Sequence, residues 1–373
     1  MYGADLLQAL QALAHERGSG PIECFGLGGE RMREAGCDTV IDARDVAVVG
    51  LAEVVNHLPG IYRAFHRLLR EVDRRRPDVA VLIDFPDWNF RLARQLHRRG
   101  IPVVYYVSPQ LWAWRQGRIK LVQRYVNKML IIFPFERGFY ARHGVDAEFV
   151  GHPLTEIASP VEPREAFAAR HRLDPDKPWI AILPGSRRKE LMLNLPGIMG
   201  TVDRLGPGYE YLLPVASTLQ VDWVRAQVET LRGVASPRTK ITFVPSARTA
   251  LAQARAGIVA SGTATVEAAV IGTPFVMIYR VTPLTWFLGR RLVNLSNFGM
   301  VNLIAGREVV PELVQGRFTS EAVEEALLPL LSDGPRRSQM LKDLAEVRQK
   351  LSAGEGHIAA ERAATMVWKV ARP

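Results

Sequence analysis

Two short apolar runs, each broken by a glycine-bearing turn that leads directly into a helix, constrain this chain more than any other feature. The first reads Trp-Ile-Ala-Ile-Leu-Pro-Gly-Ser-Arg-Arg-Lys-Glu-Leu from Trp179 to Leu191. Trp179 to Leu183 has strand length, Pro184-Gly185 breaks the run, and Ser186 with the charged residues after it begins a helix. Such a turn leaves the first helical N–H groups unpaired, with the positive end of the helix dipole behind them. That is a seat for phosphate, and Arg187 adds a planar fork able to take two phosphate oxygens. On this stretch alone an ordinary βα turn with surface arginines is an equal alternative. The second turn follows Gly257–Ala260 and reads Ser261-Gly262-Thr263-Ala264-Thr265-Val266-Glu267, with small hydroxyl donors at the helix start and a carboxylate one turn in. Two such turns in one sheet can hold a diphosphate and a ribose, Glu267 taking the ribose hydroxyls. Neither is a GxGxxG or GxxxxGK[ST] motif, so support for NAD or ATP is poor.

The same alternation of buried-strand runs and helical patterns fills the chain. In the second half, strands are expected near Trp179–Leu183, Tyr211–Leu213, Lys240–Phe243, Gly257–Ala260 and Pro274–Tyr279, with three closing helices at about 319–332, 335–350 and 355–371. In the first half they are expected at Ile22–Leu27, Val79–Ile83, Pro102–Val107 and Met129–Phe133, with a short one ending at Val150, and short apolar stretches lie around Ala47–Val49. The fold class is α/β, with two Rossmann-like domains built on parallel sheets. The expected boundaries are residues 1–158 and 164–350, with Ser159-Pro160-Val161-Glu162-Pro163 as linker, and a C-terminal helix in 351–373 able to pack back on the first domain. Leu6, Leu7, Leu10 and Leu13 start a helix almost at residue 3. An α/β domain normally enters its first helix from a strand, and Met1 stands where that strand would end; the reading therefore has the first strand of the N-terminal domain missing.

Charge is unevenly spread. The formal net charge of +10 is matched by Leu58–Lys128 alone, which carries 15 Lys+Arg against 5 Asp+Glu. A localised basic face implies a polyanion, either nucleic acid or an anionic membrane surface. Within it, Leu58, Ile61, Tyr62, Phe65, Leu68, Leu69 and Val72 recur at helical spacing, interleaved with Arg63, His66, Arg67, Arg70, Arg74, Arg75 and Arg76. Such a helix either buries its apolar stripe in the core or lies in a lipid interface with arginines at the headgroups. Cys24 and Cys37 are too few for a disulfide framework and lack metal-ligand spacing, which fits a reducing compartment. No apolar run approaches the ~18 residues of a membrane span, and no basic n-region precedes an apolar core, so a cytoplasmic location is expected.

The run Val79–Ile83 ends in Asp84-Phe85-Pro86-Asp87-Trp88-Asn89. Ligands of open α/β sheets bind beyond the carboxyl ends of the strands, so Asp84 is the first choice for a general base. Asp87 is the second choice and is expected to cap the helix Phe90–Arg99. Trp112 and Trp114, beside a basic run, suit lipid headgroups, nucleobase stacking or plain packing.

Several further motifs fall in one order along the chain. They are Val81–Asn89, Tyr106-Val-Ser-Pro-Gln-Leu-Trp-Ala-Trp-Arg115, Phe133-Pro-Phe-Glu136, Val150-Gly-His-Pro153, Leu183-Pro-Gly-Ser-Arg187 with Glu190, Ala260–Glu267, Tyr279-Arg280 and Val301-Asn-Leu-Ile-Ala-Gly-Arg307. Together they resemble the lipid-A-disaccharide synthases, glycosyltransferases of the GT-B type. The resemblance implies an inverting, metal-independent and cofactor-free transfer of a 2,3-diacylglucosamine from UDP to 2,3-diacylglucosamine 1-phosphate, giving a β(1→6) disaccharide and UDP. It implies Asp84 as the base on the acceptor's 6-hydroxyl. It assigns Gly185, Ser186, Arg187, Glu190, Ser261, Gly262, Thr263, Glu267, Asn302 and Arg307 to the donor site. Acylated substrates raise the lipid-interface reading of the basic helix, with Leu58, Ile61, Tyr62, Phe65, Leu69, Arg63, Arg67 and Arg70 facing an anionic membrane. The enzyme would then sit peripherally on the cytoplasmic face of the inner membrane, with no nucleic-acid partner and a homodimer allowed. The rivals are a UDP-sugar epimerase on the same scaffold, which needs no membrane face, and a basic nucleic-acid-binding protein, whose oligonucleotide binding would fall steeply with salt.

Overall fold

A computed structural model describes residues 2–45, 51–157, 162–232, 239–283, 285–287, 298–354 and 356–371, with residues 51–58 and 232 in backbone only. The apolar stretch Ala47–Val49 and linker residues Ser159, Pro160 and Val161 lie outside these. The chain divides into two compact units, Met1–Glu156 with Ser352–Pro373, and Ile157–Leu351.

In unit 1 the elements run α1 (Tyr2–Glu16), β1 (Cys24–Gly28), α2 (Glu30–Glu34), β2 (Cys37–Asp42), α3 (Leu51–Arg75), β3 (Ala80–Ile83), α4 (Pro86–His97), β4 (Val103–Tyr106), α5 (Ile119–Tyr125), β5 (Lys128–Ile131), α6 (Glu136–Arg142) and β6 (Ala147–Phe149). All strand pairs are parallel, in a two-stranded sheet β1-β2 and a four-stranded sheet β3-β4-β5-β6. Successive residues of a strand face opposite sides, so Val103 and Tyr105 enter one cluster with Leu82, Trp88, Leu96 and Leu69. Val104 and Tyr106 enter the other, with Leu6, Leu130 and Val150. Burial on both faces explains why β4 has no charged residue.

The last helix of the chain (Ala359–Ala371) completes that second cluster: Ala363, Ala364 and Val367 pack with Leu6, Tyr106 and Leu130. It is tied at its start, where the Ala359 N–H donates to the Glu156 carboxylate at 2.5 Å. Gly151 lies so close to Ala353 that a Cβ there would meet backbone at 2.8 Å.

Unit 2 runs α7 (Arg164–His171), β7 (Trp179–Leu183), α8 (Arg188–Leu205), β8 (Glu210–Pro214), α9 (Val221–Arg232), β9 (Ile241–Val244), α10 (Ala247–Gln253), β10 (Ala256–Ala260), α11 (Thr263–Ile271), β11 (Phe275–Tyr279), α12 (Met300–Ala305), β12 (Glu312–Val314), α13 (Ser320–Leu331) and α14 (Pro335–Leu351). The last helix of the chain is therefore α15. Its strands form one parallel sheet in the order β12-β11-β10-β7-β8-β9. β7, β8 and β10 are buried along their whole length.

Three helix starts differ from the periodicity. α3 begins at Leu51, ahead of Leu58, and α4 begins at Pro86, whose fixed φ and missing N–H suit a first helical position. α8 begins at Arg188 because Arg187 is extended, with φ −120° and ψ 146°.

Candidate functional site

Strand order places the site of unit 2. From β7 the chain winds outward through β8 and β9, then returns to lay β10 on the other side of β7 and winds outward again through β11 and β12. β7 and β10 are therefore neighbours whose following connections diverge, which opens a crevice beyond their carboxyl ends. Both glycine-bearing turns lie there, since Leu183 pairs with Val259 immediately before the turns begin.

The first turn is tightly specified. Gly185 has φ +123°, and a Cβ on it would lie 2.8 Å from Glu190 Cβ and 3.0 Å from Glu190 Oε2, so glycine is required twice over. Asn194, buried on α8, donates its Nδ2 to the Pro184 carbonyl at 2.9 Å and fixes the turn to the helix. The Ser186 N–H donates to Glu190 Oε2 at 3.1 Å, and Arg187 Nη1 donates to Glu190 Oε1 at 2.9 Å. A carboxylate of the chain itself thus sits on the donors that the sequence offers to a phosphate. Tyr279, at the end of β11, feels the same group: burial pushes its phenol up, and the Glu190 charge adds to this against the Arg187 guanidinium.

In the second turn, Gly262 has φ +141° with open space where a Cβ would stand. The Gly262 carbonyl accepts from Thr265 Oγ1 at 2.7 Å, and the Ser261 N–H donates to the Ile278 carbonyl at 2.9 Å. Ser261 is half-buried, while Gly262 and Thr263 are exposed at the start of α11. Glu267 lies one turn in, where burial pushes its carboxyl up and Arg248 opposes the shift. Arg248 approaches it to 3.5 Å and also donates Nη2 to the Ile157 carbonyl at 2.7 Å, yet among the described residues its Nε has no hydrogen-bond partner. Sequence reasoning missed Arg248, which lies outside both turns and is brought in by α10. It also missed Gln315, whose side-chain amide pairs with both the N–H and the carbonyl of Val281 and so braces the connection after β11.

Asn302 and Arg307, also expected at the donor site, make contacts within unit 2. Asn302 is completely buried, and its amide is spent on Val310 O, Glu312 Oε1, Val309 N and Val310 N. Arg307 follows the C-terminus of α12 and precedes β12, which puts it at the amino-terminal edge of the sheet, away from the crevice. It pairs there with Asp343 at 3.0 Å and Glu346 at 2.7 Å on α14.

In unit 1, the sequence motifs also gather beyond the carboxyl ends of the strands. Asp84 follows β3 with φ +47°, Phe85 follows at +43°, and Val107 follows β4 at +62°. Left-handed backbone costs non-glycine residues on the order of 1–2 kcal/mol each and persists only where the surroundings enforce it. Here Tyr105 Oη donates to the Asp84 carbonyl at 2.6 Å, and Asn89 Nδ2 donates to it at 2.5 Å. The Asp84 carboxylate is exposed and, among the described residues, makes no ion pair or hydrogen bond. Asp87 is different: Arg118 donates to it at 2.5 Å and Arg115 lies at 3.7 Å. Nor does it cap α4. It sits inside the first turn, and Phe85 holds the cap position without a side-chain hydrogen bond.

Behind Asp84, Ser108 Oγ meets Tyr140 Oη at 2.6 Å, and Trp112 Nε1 donates to Glu136 Oε1 at 3.1 Å. Burial pushes the Glu136 carboxyl up to about 8 and the His152 imidazole down to about 4. Trp112 therefore packs and hydrogen-bonds within the unit, while Trp114 is exposed with Arg115 over its ring at 4.4 Å.

The basic helix is mostly core-facing along its apolar stripe. Leu69 is buried, Ile61 and Phe65 pack against the core, and Phe65 meets Trp88 edge-on at 5.1 Å. The side chain of Leu58 lies outside the described residues. Tyr62 stays 66% exposed, beside exposed Arg63, Arg67 and Arg70. Amphipathic spacing is the same for a core and for a lipid partner, so only the packing separates them.

Comparison with known proteins gives the geometry a family. The profile of the lipid-A-disaccharide synthetase family matches residues 1–367. The chain is 62% identical to the lipid-A-disaccharide synthase of Koribacter versatilis, over all of this chain and 96% of that one. It is 52% identical to that of Acidobacterium capsulatum, over 94% and 88%. Among solved structures, Acinetobacter baumannii MurG superposes with a TM-score of 0.54 at 16% identity, covering 98% of this chain and 96% of that one. A putative UDP-N-acetylglucosamine 2-epimerase from Listeria monocytogenes superposes with a TM-score of 0.62 at 13% identity, covering 96% of this chain and 91% of that one. At these identities the structures speak for the shared GT-B type of fold alone. Sequence, over its whole length, speaks for the activity: the chain belongs to the lipid-A-disaccharide synthase family of glycosyltransferases.

Proposed function

We propose that this chain moves a diacylated glucosamine from UDP to a diacylglucosamine 1-phosphate by direct displacement, with Asp84 as general base and the two turns of unit 2 as the diphosphate cradle. The observation that carries the reading is the placement of both turns on neighbouring strand ends at the switch point of one sheet. UDP departs with growing negative charge, so donors that strengthen toward that charge accelerate the reaction. The Ser186 N–H and the Arg187 guanidinium are such donors, and the diphosphate takes them over from Glu190. Ser261, Gly262 and Thr263 add donors at the start of α11, and Glu267, held by Arg248, accepts the ribose hydroxyls. In unit 1, the strained turn aims an unpaired carboxylate at solvent, where the acceptor's 6-hydroxyl gives up its proton. Asp87, which pairs with Arg118 and faces Arg115, remains the second choice.

Acylated substrates need access to a bilayer. No helix among the described residues is long and apolar enough to cross one. Peripheral docking through Tyr62, Arg63, Arg67 and Arg70 onto anionic headgroups fits the charge of this face and the chemistry of the substrates. Asp84→Asn tests the base. Asparagine tolerates left-handed backbone, so folding and UDP binding should be kept while disaccharide formation falls by about 10²–10⁴. Unchanged turnover in that variant would remove Asp84 from the mechanism.

A further inference from the structure

The two cysteines of the chain, read from sequence as too few for a disulfide framework, lie opposite one another on neighbouring parallel strands. Cys24 on β1 is the in-register partner of Cys37 on β2. Adjacent strands run about 4.8 Å apart, and a disulfide joins Cα atoms separated by roughly 4.4–6.8 Å. Both side chains point to the same face, where they share a small cluster with Ala4, Leu7, Ala35 and Met32. Cys24 Sγ donates to Cys37 Sγ at 2.7 Å, and both are free thiols. Cys37 is 5% exposed and Cys24 is half-buried.

We propose that Cys24 and Cys37 form a reversible oxidation site, a dithiol that a peroxide closes to an intrachain disulfide clamping β1 to β2. The S–H of Cys24 donates to Cys37, which lowers the Cys37 thiol; burial and the Asp38 charge oppose this, and the Arg75 guanidinium adds to the lowering. The same hydrogen bond and burial raise Cys24. Cys37 is thus the sulfur that ionises. Arg75 is held in place over the Phe25 ring at 4.8 Å and by Asp38.

The Cys37 thiolate attacks one oxygen of the peroxide and the O–O bond breaks. Cys37 becomes a sulfenic acid, and the released hydroxide takes up the thiol's proton as water. The Cys24 sulfur then attacks the sulfenic sulfur, the S–O bond breaks, and a second water leaves with the Cys24 proton. Two thiols are oxidised by two electrons, and one peroxide is reduced to two waters. The closed loop holds Gly28-Gly29 and the short helix α2, which has no side-chain cap of its own. Cross-linking removes freedom from the unfolded chain, so the oxidised form resists unfolding more than the reduced form.

The test uses the full chain, reduced, freed of reductant, treated with hydrogen peroxide, denatured and alkylated with N-ethylmaleimide. The expected product is lighter by two hydrogens, takes up no alkyl group and yields a peptide cross-linking Cys24 to Cys37. Dithiothreitol then restores two alkylatable thiols, and the oxidised chain has the higher melting temperature. Cys24→Ser and Cys37→Ser should each give a dimedone-trappable sulfenic acid or further oxidation, with no intrachain link and no rise in melting temperature. Two alkylated thiols after peroxide, sulfinic acids on the wild-type cysteines, or cross-links only between chains would each overturn the proposal. So would an intrachain link that leaves the melting temperature unchanged.

Discussion

Gly185→Ala isolates the geometry of the phosphate turn with a single methyl group. At φ +123° an alanine backbone is strained by on the order of 1–3 kcal/mol. The added Cβ also meets Glu190 Cβ at 2.8 Å and Oε2 at 3.0 Å. Forcing a methyl into such a contact costs on the order of 1–3 kcal/mol. The oxygen can swing away, but Glu190 Cβ is fixed by the helix backbone, so the turn itself must move. Roughly 2–6 kcal/mol must then appear as lost stability, as lost UDP affinity through a displaced turn, or as a division between them. Gly262→Ala is the internal control: at φ +141° it carries the strain, but nothing lies within 4 Å of its Cβ. Chemical denaturation and titration calorimetry with UDP measure both quantities for both variants. Gly185→Ala should show the larger combined loss, with UDP binding weakened at least tenfold if most of the energy falls on the turn. Wild-type stability and wild-type UDP affinity together in Gly185→Ala would refute the argument that this bend seats the diphosphate.

Burial raises Glu136 to about 8. Its contribution to folding is therefore complete below the unfolded value near 4.5 and is lost as pH climbs through about 8, on the order of 3–5 kcal/mol in all. Glu136→Gln should flatten that limb of the stability–pH curve, becoming more stable relative to wild type between pH 5 and 9; an unchanged slope would contradict it. His152, depressed to about 4, acts in the opposite direction: its contribution is present above about 6.5 and is lost as pH falls through 4. Calorimetric melts of His152→Gln should show a shallower acid limb. Arg248→Met leaves Glu267 half-buried without its cation, raising the carboxyl further. UDP affinity should fall by about tenfold, more at pH 6 than at pH 8, as titration at the two values would show. Replacing Arg63, Arg67 and Arg70 by Ser should weaken partitioning onto anionic vesicles by about 1 kcal/mol per residue, with UDP affinity untouched. Equal sedimentation with vesicles would end the docking reading.

What the sequence disclosed, and what it hid, follows from the range of the forces involved. The turns at Gly185 and Gly262 were legible because a strand, a breaker and a helix start are local signals a few residues long. Trp179–Leu183 was legible because a strand buried on both faces carries no polar residue. The stripe on α3 was ambiguous for the same kind of reason: Leu69 and Phe65 have the same spacing whether Trp88 or a lipid faces them. The surroundings of Asn302 and Arg307 were hidden because proximity in sequence to a motif says nothing about which end of the sheet a residue reaches. Topology decides that, and it sends Arg307 to the edge where β12 begins. Arg248 was invisible because its tie to Glu267 spans two elements. Asp87 was assigned the cap from its residue type, whereas Pro86 starts the helix one residue earlier.

The seating of α15 against α1 has a consequence for biosynthesis. Leu6 is synthesised about 350 residues before its partners Ala363 and Val367. Unit 2 lies wholly between them and can complete its sheet while the end of the chain is still being made. Unit 1 must wait, with its Tyr106 and Leu130 face uncovered until α15 has been made. A stop codon placed just after Leu351 should therefore release chains whose second unit is sound and whose first attracts chaperones, inverting the usual order in which the leading domain matures first.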